Sequence, residues 1–226
     1  TSPLYLTSLG FNSVIEFSDY VDYDHFGSAV AGGDFNCDGY GDVIVGVDQY
    51  AGNLGLVYVI WGGPQTWNTS LSINRTQIGT VGPATIFFGD NNSKTGWAVG
   101  NAGDVNDDGC QDFLIGANWA SYMGMSHSGR AYLFYGSKNA TKWSKTFYVN
   151  SSADVFINGA VASDYLGGAA TGNFDFNGDK VSDFITGAYF ANPGSRSDAG
   201  ISYVAFGSKT LPATISASGT SFFDGM

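Results

Sequence analysis

Asp34, Asn36, Asp38 and Asp42 stand at positions 1, 3, 5 and 9 of the segment Asp34-Phe35-Asn36-Cys37-Asp38-Gly39-Tyr40-Gly41-Asp42. Calcium takes about six to eight hard oxygen ligands, and alternate residues of a tightly curled loop can turn carboxylate or amide oxygens toward one ion. Gly39 at position 6 permits the sharp turn, and the main-chain carbonyl of Tyr40 at position 7 offers a further oxygen. In a helix-flanked calcium loop the run would continue to a Glu at position 12. Here position 12 is Val45, inside the apolar run Val43-Ile44-Val45-Gly46, so the loop closes at Asp42 and lies between two β-strands.

The pattern recurs. Asp104, Asn106, Asp108 and Asp112 repeat it, with Gly109 at position 6 and Cys110 at position 7, and lead into Phe113-Leu114-Ile115-Gly116. Asp175, Asn177, Asp179 and Asp183 repeat it again, with Val181 at position 7, and lead into Phe184-Ile185-Thr186-Gly187. The loops begin 70 and 71 residues apart, which makes the chain an array of similar units. The expectation is a Ca²⁺ ion in the first two loops, and in the third with less support.

The strands that must position these loops are legible as short apolar or alternating runs between glycines. In the first unit they are Ser13 to Phe17, Ser28 to Ala31, Val43 to Val47 and Gly55 to Gly62; in the second, Thr85 to Gly89, Gly96 to Val99 and Gly129 to Gly136. The third offers Asp154 to Asn158, Leu166 to Ala170 and Gly200 to Gly207, and Ser221 to Gly225 repeats the Phe87 strand once more. Four strands per unit describe blades of a β-propeller, and the small residues of the Ser28, Gly96 and Leu166 strands suit the crowded axis where blades converge. The expected blades run over 18–89, 90–158 and 159–226, with 1–17 as the outer strand of a preceding blade. The expected core is Val30, Val43, Val45, Val57, Val59, Val99, Leu114, Tyr132, Phe134, Ile185 and Tyr203.

Composition agrees with an all-β chain and narrows the partners. The 226 residues include 33 glycines, and no run of ten or more residues shows convincing helical periodicity with caps. Formal charge is −11 with nine Lys plus Arg, which leaves no basic patch to neutralise phosphates and excludes a nucleic-acid partner. No apolar run approaches the roughly 18 residues that span a bilayer, so direct membrane insertion is not expected. Acceptor sequons at Asn68, Asn74, Asn91, Asn139 and Asn150 lie in polar connections and suit a glycosylated protein of the secretory pathway, extracellular or at the cell surface.

Phe26-Gly27, the Asp-x-Asn-x-Asp-Gly-x-x-Asp loop, Gly116-Ala117 and the Val57-Tyr58-Val59 strand together resemble FG-GAP repeats, which build the N-terminal β-propeller of integrin α subunits and related extracellular proteins. The resemblance covers nearly the whole chain. It implies a seven-bladed calcium-binding propeller with the ions under the blades, opposite the usual ligand face. The chain departs from the pattern where Phe-Gly becomes Thr95-Gly96 and Leu166-Gly167. The third unit also reads as carrying an extra residue before Asp175, with Lys180 at position 6 and Gly178 at position 4. A weaker or empty third site is expected.

Little else in the chain has the residues for chemistry. His25 and His127 are the only histidines, and both read as ordinary loop residues. The carboxylates are mostly committed to the loops, and Gly32-Gly33 lacks the Lys and helix of a phosphate-binding loop. Cys37 and Cys110 both lie in the acidic loops. A disulfide needs Cα atoms within about 7 Å, and adjacent rim loops usually lie farther apart, so an unbridged pair is the expectation. Trp61 and Trp97 read as packing residues, Trp67 and Trp119 as surface candidates for stacking on sugars.

These readings converge on a non-catalytic extracellular scaffold or adhesion module. It would present the loops Asp48 to Asn53 and Asn118 to Gly129 to a protein partner. The alternatives are a carbohydrate-binding propeller and the accessory propeller of a larger enzyme. The outer-type strand Val14 to Phe17 is surplus to three units. It implies either a longer chain with more blades, the favoured expectation, or copies that complete one another.

Overall fold

Alternating β-branched and aromatic residues between glycine turns build almost nothing but strands. The computed structural model describes residues 16–18, 22–64, 70–72, 84–143 and 146–217. A short strand, β1 (Glu16–Ser18), precedes the first unit of β2 (Phe26–Gly33), β3 (Asp42–Val47), β4 (Leu56–Ile60), β5 (Ser70–Ser72) and β6 (Ala84–Phe88). The second unit holds β7 (Thr95–Gly103), β8 (Asp112–Ala117), β9 (Arg130–Phe134), β10 (Phe147–Tyr148) and β11 (Val155–Asn158). The third holds β12 (Leu166–Phe174), β13 (Asp183–Ala188), β14 (Ile201–Ala205) and β15 (Thr214–Ser216). Helix among the described residues is confined to single turns, such as Tyr50–Asn53 and Val149–Ser152.

The sheets run β10-β6-β4-β3-β2, β15-β11-β9-β8-β7, β12-β13-β14 and β1-β5. Within a unit the neighbours are antiparallel, as blades require. The four strands expected per blade are joined by a fifth, lent in parallel by the next unit: β10 lies on β6 and β15 on β11. The same parallel pairing joins β5 to β1. The added strands cover an edge that would otherwise present unpaired N–H and C=O groups. They are two or three residues long, too short for any alternation to be read.

Core side chains lie between successive sheets, in the manner of propeller blades. Ile44, Val57, Val59 and Phe87 of the first pack against Val99, Phe113, Ile115, Tyr132 and Phe134 of the second. Leu114, Leu133, Val155 and Ile157 of the second meet Leu166, Phe184, Ala188 and Ala205 of the third. Glycine sets how closely the inner strands approach. A Cβ on Gly46 would lie 2.1 Å from the Gly96 carbonyl oxygen, and one on Gly116 the same distance from that of Gly167.

Of the expected core, Val45, Val57, Val59, Val99, Leu114, Tyr132 and Phe134 are buried. Ile185 and Tyr203 are half-buried. Val30, at 66% exposed, and Val43, at 37%, are not core. Both lie on the face of the first sheet that points away from the second, where no described blade packs over them. Trp61 is buried and lies 5.2 Å from Trp143, ring to ring, but Trp97 is 37% exposed, so it is not the packing residue expected. The strand expected at Ser221 to Gly225, Trp67, and the sequons at Asn68 and Asn74 lie outside the described residues.

Candidate metal centres

Each acidic loop joins the inner strand of its sheet to the next strand, and in each the side chains fold the backbone onto themselves. Asp34 accepts the Asp38 N–H through Oδ1 (3.1 Å) and the Gly39 N–H through Oδ2 (3.0 Å). Asn36 Oδ1 accepts the Asp38 N–H at 3.0 Å, and Asp38 Oδ1 accepts that of Tyr40 at 2.8 Å. Such short-range bonds from Asx side chains substitute for secondary structure in a tight turn. Asp104 holds Asp108 and Gly109 in the same way, and Asp108 holds Cys110. Asp175 holds Asp179 and Lys180, and Asp179 holds Val181.

The carboxylate at position 9 plays a different part. Asp42, Asp112 and Asp183 are 2%, 0% and 0% exposed. Asp42 accepts the Phe35 N–H at 2.8 Å and the Gly62 N–H at 2.9 Å, so it ties the start of its loop to the end of β4. Asp112 joins Val105 to Gly136, and Asp183 joins Phe176 to Gly207. Spacing alone made these residues loop closers. That each also clamps the glycine after the third strand went unread, although Gly62, Gly136 and Gly207 recur 20, 24 and 24 residues downstream.

Positions 4 and 6 are both left-handed, the region that strains a side chain bearing a Cβ. At position 6, φ is 90° for Gly39, 88° for Gly109 and 74° for Lys180. At position 4 it is 57° for Cys37, 54° for Asp107 and 82° for Gly178. The third loop therefore exchanges which position carries the glycine and keeps the turn. Nor is its extra residue peculiar to it. β7 and β12 both show a register shift before their loops, between Asn101 and Gly103 and between Gly172 and Phe174, and the first unit is the shorter one.

Among the described residues, no three His, Cys, Asp or Glu side chains are gathered to hold a metal ion, because the carboxylates are turned toward backbone N–H groups. The donor set nevertheless fits a hard cation. A carboxylate oxygen that accepts one N–H keeps a second lone pair. Burial pushes the Asp42 carboxyl up to about 6 and the Asp112 carboxyl up to about 7. The nearby charges of Asp38 in one loop, and of Asp108 and Asp104 in the other, push the same way, while the backbone bonds pull down. A divalent ion would remove that penalty by inverting the local field.

Cys37 and Cys110 are bonded, S–S 2.01 Å, with Cα atoms 5.5 Å apart, which overturns the expectation of an unbridged pair. Neighbouring loops converge because they are stitched together. The Asp34 N–H donates to Gln111 Oε1 at 2.9 Å, Asn101 Nδ2 donates to the Gly32 carbonyl at 2.9 Å, and the Ser137 N–H donates to the Phe35 carbonyl at 2.9 Å.

The other sequence candidates are scattered. His25 faces Asp48 at 3.4 Å. His127 stacks on Tyr165 at 5.7 Å and lies tilted against Trp119 at 5.2 Å, in an aromatic cluster at the strand ends opposite the acidic loops. There Lys94 Nζ lies 4.1 Å from the Trp119 ring centroid and 5.0 Å from that of Trp97, and Tyr189 and Phe190 are about 40% exposed. Asn91, Asn139 and Asn150 are exposed. Asn139 Oδ1 accepts the N–H and hydroxyl of Thr141, and Asn150 Oδ1 accepts from the Arg130 guanidinium.

Comparison with known proteins bears on most of the chain. The FG-GAP repeat family matches residues 26–60 and 95–134. Integrin alpha-6 of Gallus gallus is 28% identical over 168 residues, 72% of this chain and 13% of that protein. Phosphatidylinositol-glycan-specific phospholipase D of Bos taurus is 31% identical over 185 residues, 79% of this chain and 20% of that protein. Integrin alpha-PS2 of Drosophila melanogaster is 26% identical over 174 residues, 74% of this chain and 12% of that protein. The chain thus spans a fifth or less of the length of these relatives.

Proposed function

From a chain built of FG-GAP repeats and similar over most of its length to integrin α subunits, we infer a non-catalytic, extracellular, calcium-binding propeller module that scaffolds or adheres through a protein partner. The observation that carries this reading is the acidic loop repeated in one register on three successive sheets, with the same hydrogen-bond network each time. Asp34, Asn36, Asp38, Asp42 and the Tyr40 carbonyl would hold one ion. Asp104, Asn106, Asp108, Asp112 and the Cys110 carbonyl would hold a second, and Asp175, Asn177, Asp179, Asp183 and the Val181 carbonyl a third. Bound Ca²⁺ supplies positive charge that holds clustered carboxylates together and stiffens the turn between strands. Extracellular modules commonly bind it at roughly 10⁻⁴–10⁻³ M.

The Cys37–Cys110 bond suits an oxidising compartment, as do the exposed sequon residues Asn91, Asn139 and Asn150. No helix among the described residues is long and apolar enough to cross a membrane. The loops after β3, β8 and β13 lie at the strand ends opposite the ion sites, and they carry Trp119, Met123, Tyr189 and Phe190 for a partner to meet. Calcium titration followed by thermal unfolding tests the reading. A rise in midpoint is expected, and an unchanged midpoint would refute it.

A second reading is carbohydrate binding, favoured by Trp97 and Trp119 flanking Lys94 on that same end. A glycan array separates it from the first, since a protein-binding face gives no signal there. A third is the accessory propeller of a larger enzyme, a reading supported by the likeness to a phospholipase D.

A further inference from the structure

Asn-Gly occurs twice in the chain, at Asn158-Gly159 and at Asn177-Gly178. The pair matters chemically because the backbone nitrogen after an asparagine can attack that asparagine's own side-chain amide carbon. Glycine in second place leaves the attacking nitrogen unhindered by a Cβ and its backbone free to turn. Sequence alone gives the two pairs equal standing, and the structure separates them.

Asn158 ends β11, is 0% exposed, pairs with Arg130 of β9, and accepts the Arg130 Nε–H on Oδ1 at 2.6 Å. The Gly159 N–H donates to the Gly129 carbonyl at 2.9 Å, and a Cβ on Gly159 would lie 2.0 Å from the Ser128 carbonyl oxygen. The strand and its packing hold both residues in place and keep water from the amide.

Asn177 stands instead at position 3 of the third acidic loop, and its bonds are local to that loop. Its Oδ1 accepts the Asp179 N–H at 3.0 Å, an Asx turn whose ring encloses the Gly178 nitrogen. That donor also steadies Oδ1, where negative charge gathers when the amide carbon is attacked. Its Nδ2 donates to Asp179 Oδ2 at 2.8 Å, and the Gly178 N–H donates to Asp175 Oδ1 at 2.6 Å. Asn36 and Asn106 make the same Asx turn, onto Asp38 at 3.0 Å and Asp108 at 3.2 Å. What differs is the residue that follows. It is Cys37 in the first loop, bonded to Cys110, and Asp107 in the second, 2.8 Å from Lys209 Nζ. Both carry a Cβ on left-handed backbone and are tied through their side chains to the next unit, whereas Gly178, at φ 82°, has no side chain to strain or to tie.

We infer that Asn177 is a site of slow, uncatalysed covalent change, at which the third loop loses an amide through a cyclic imide. The Gly178 nitrogen gives its proton to solvent and bonds to Asn177 Cγ. The Cγ–Nδ2 bond breaks, and Nδ2 leaves as ammonia with a proton taken back from solvent. Water then opens the ring at either carbonyl and leaves aspartate or isoaspartate. The first adds a carboxylate at position 3. The second carries the main chain through Cβ and Cγ and so lengthens the turn. What either product does to a bound ion rests on the calcium reading above; the loss of the amide does not.

Peptide mapping by mass spectrometry tests the proposal on the 226-residue chain, aged in mildly alkaline buffer with a calcium chelator. Asn177 should convert on the order of tenfold faster than Asn36 and Asn106, equivalent to about 1.4 kcal/mol in barrier, while Asn158 keeps its amide. In urea, where no fold protects either pair, Asn158 and Asn177 should convert at like rates. Gly178→Asp, which copies Asp107, should keep the circular-dichroism spectrum and bring Asn177 down to the rate of Asn106. An Asn177 that converts no faster than Asn36 and Asn106 in the folded chain overturns the proposal, as does a Gly178→Asp chain that converts at the wild-type rate. Either result leaves the calcium reading standing, since the chelator keeps the ion out of the comparison.

Discussion

The second and third acidic loops fold alike on different residues. Asp107 and Gly109 take the two left-handed positions in one, Gly178 and Lys180 in the other. In both, the first Asp holds the fifth and sixth N–H groups, and the buried last Asp ties the loop to the strand beyond. Where they part is in their neighbours. The second loop is covalently joined to the first, and the third has no such tie, since the two cysteines are consumed in that bond. The turn thus depends on how many left-handed positions are tolerated and on the anchoring carboxylate. A glycine at position 6 is one way of meeting that demand.

The largest way to break this comparison is to remove the covalent tie. Closing a loop across a separation of 73 residues restricts the unfolded chain by roughly 4 kcal/mol in the chain-entropy account. Replacing Cys37 and Cys110 together by Ser should lower stability by about 2–4 kcal/mol in urea unfolding. Amide exchange should quicken in the first two loops and leave the third unchanged. Equal quickening in all three would show that the loops open as one unit.

A smaller effect tests whether the anchors are equivalent. Asp112→Asn and Asp183→Asn each keep the size of the side chain but turn an NH₂ toward one of the two backbone donors. Leaving a buried donor unsatisfied costs about 1–3 kcal/mol, and both variants should lose that much by denaturant midpoint. A loss confined to Asp112→Asn would mean that the third loop does not rely on its anchor.

The smallest change sharpens the contrast at position 6. Lys180 at φ 74° carries the strain of a left-handed side chain, and Lys180→Gly relieves it. The gain should be about 0.5–1 kcal/mol after the added flexibility of glycine in the unfolded chain is subtracted. On the proposed calcium binding, the affinity of the third loop for the ion should rise toward that of the other two, read by titration calorimetry. No change in either quantity would place the difference among the loops elsewhere.

Spacing and alternation carried much of this protein. Oxygen-bearing side chains at positions 1, 3, 5 and 9, recurring at equal intervals before apolar runs, mark three loops of one shape, because local Asx bonds need no partner distant in sequence. The strands flanking them are legible for the same reason: Tyr132-Leu133-Phe134 is apolar on both faces, as a strand between two sheets must be, and Val57-Tyr58-Val59 has the same run of apolar residues. What stayed illegible lies between units. The strands β5, β10 and β15 have no pattern of their own, since their pairing is decided by the edge that the preceding sheet leaves open. Val30 and Val99 look the same in sequence and differ eightfold in exposure, 66% against 8%, because Val99 faces a neighbouring blade and no described blade lies over Val30. Cys37 and Cys110 likewise lie 73 residues apart in the chain and 5.5 Å apart in space. Sequence alone determined the blade and its loop, where each residue's partners are within a few positions. Tertiary structure decided which faces are covered and which loops touch, because those follow from how closely glycines let one sheet approach the next.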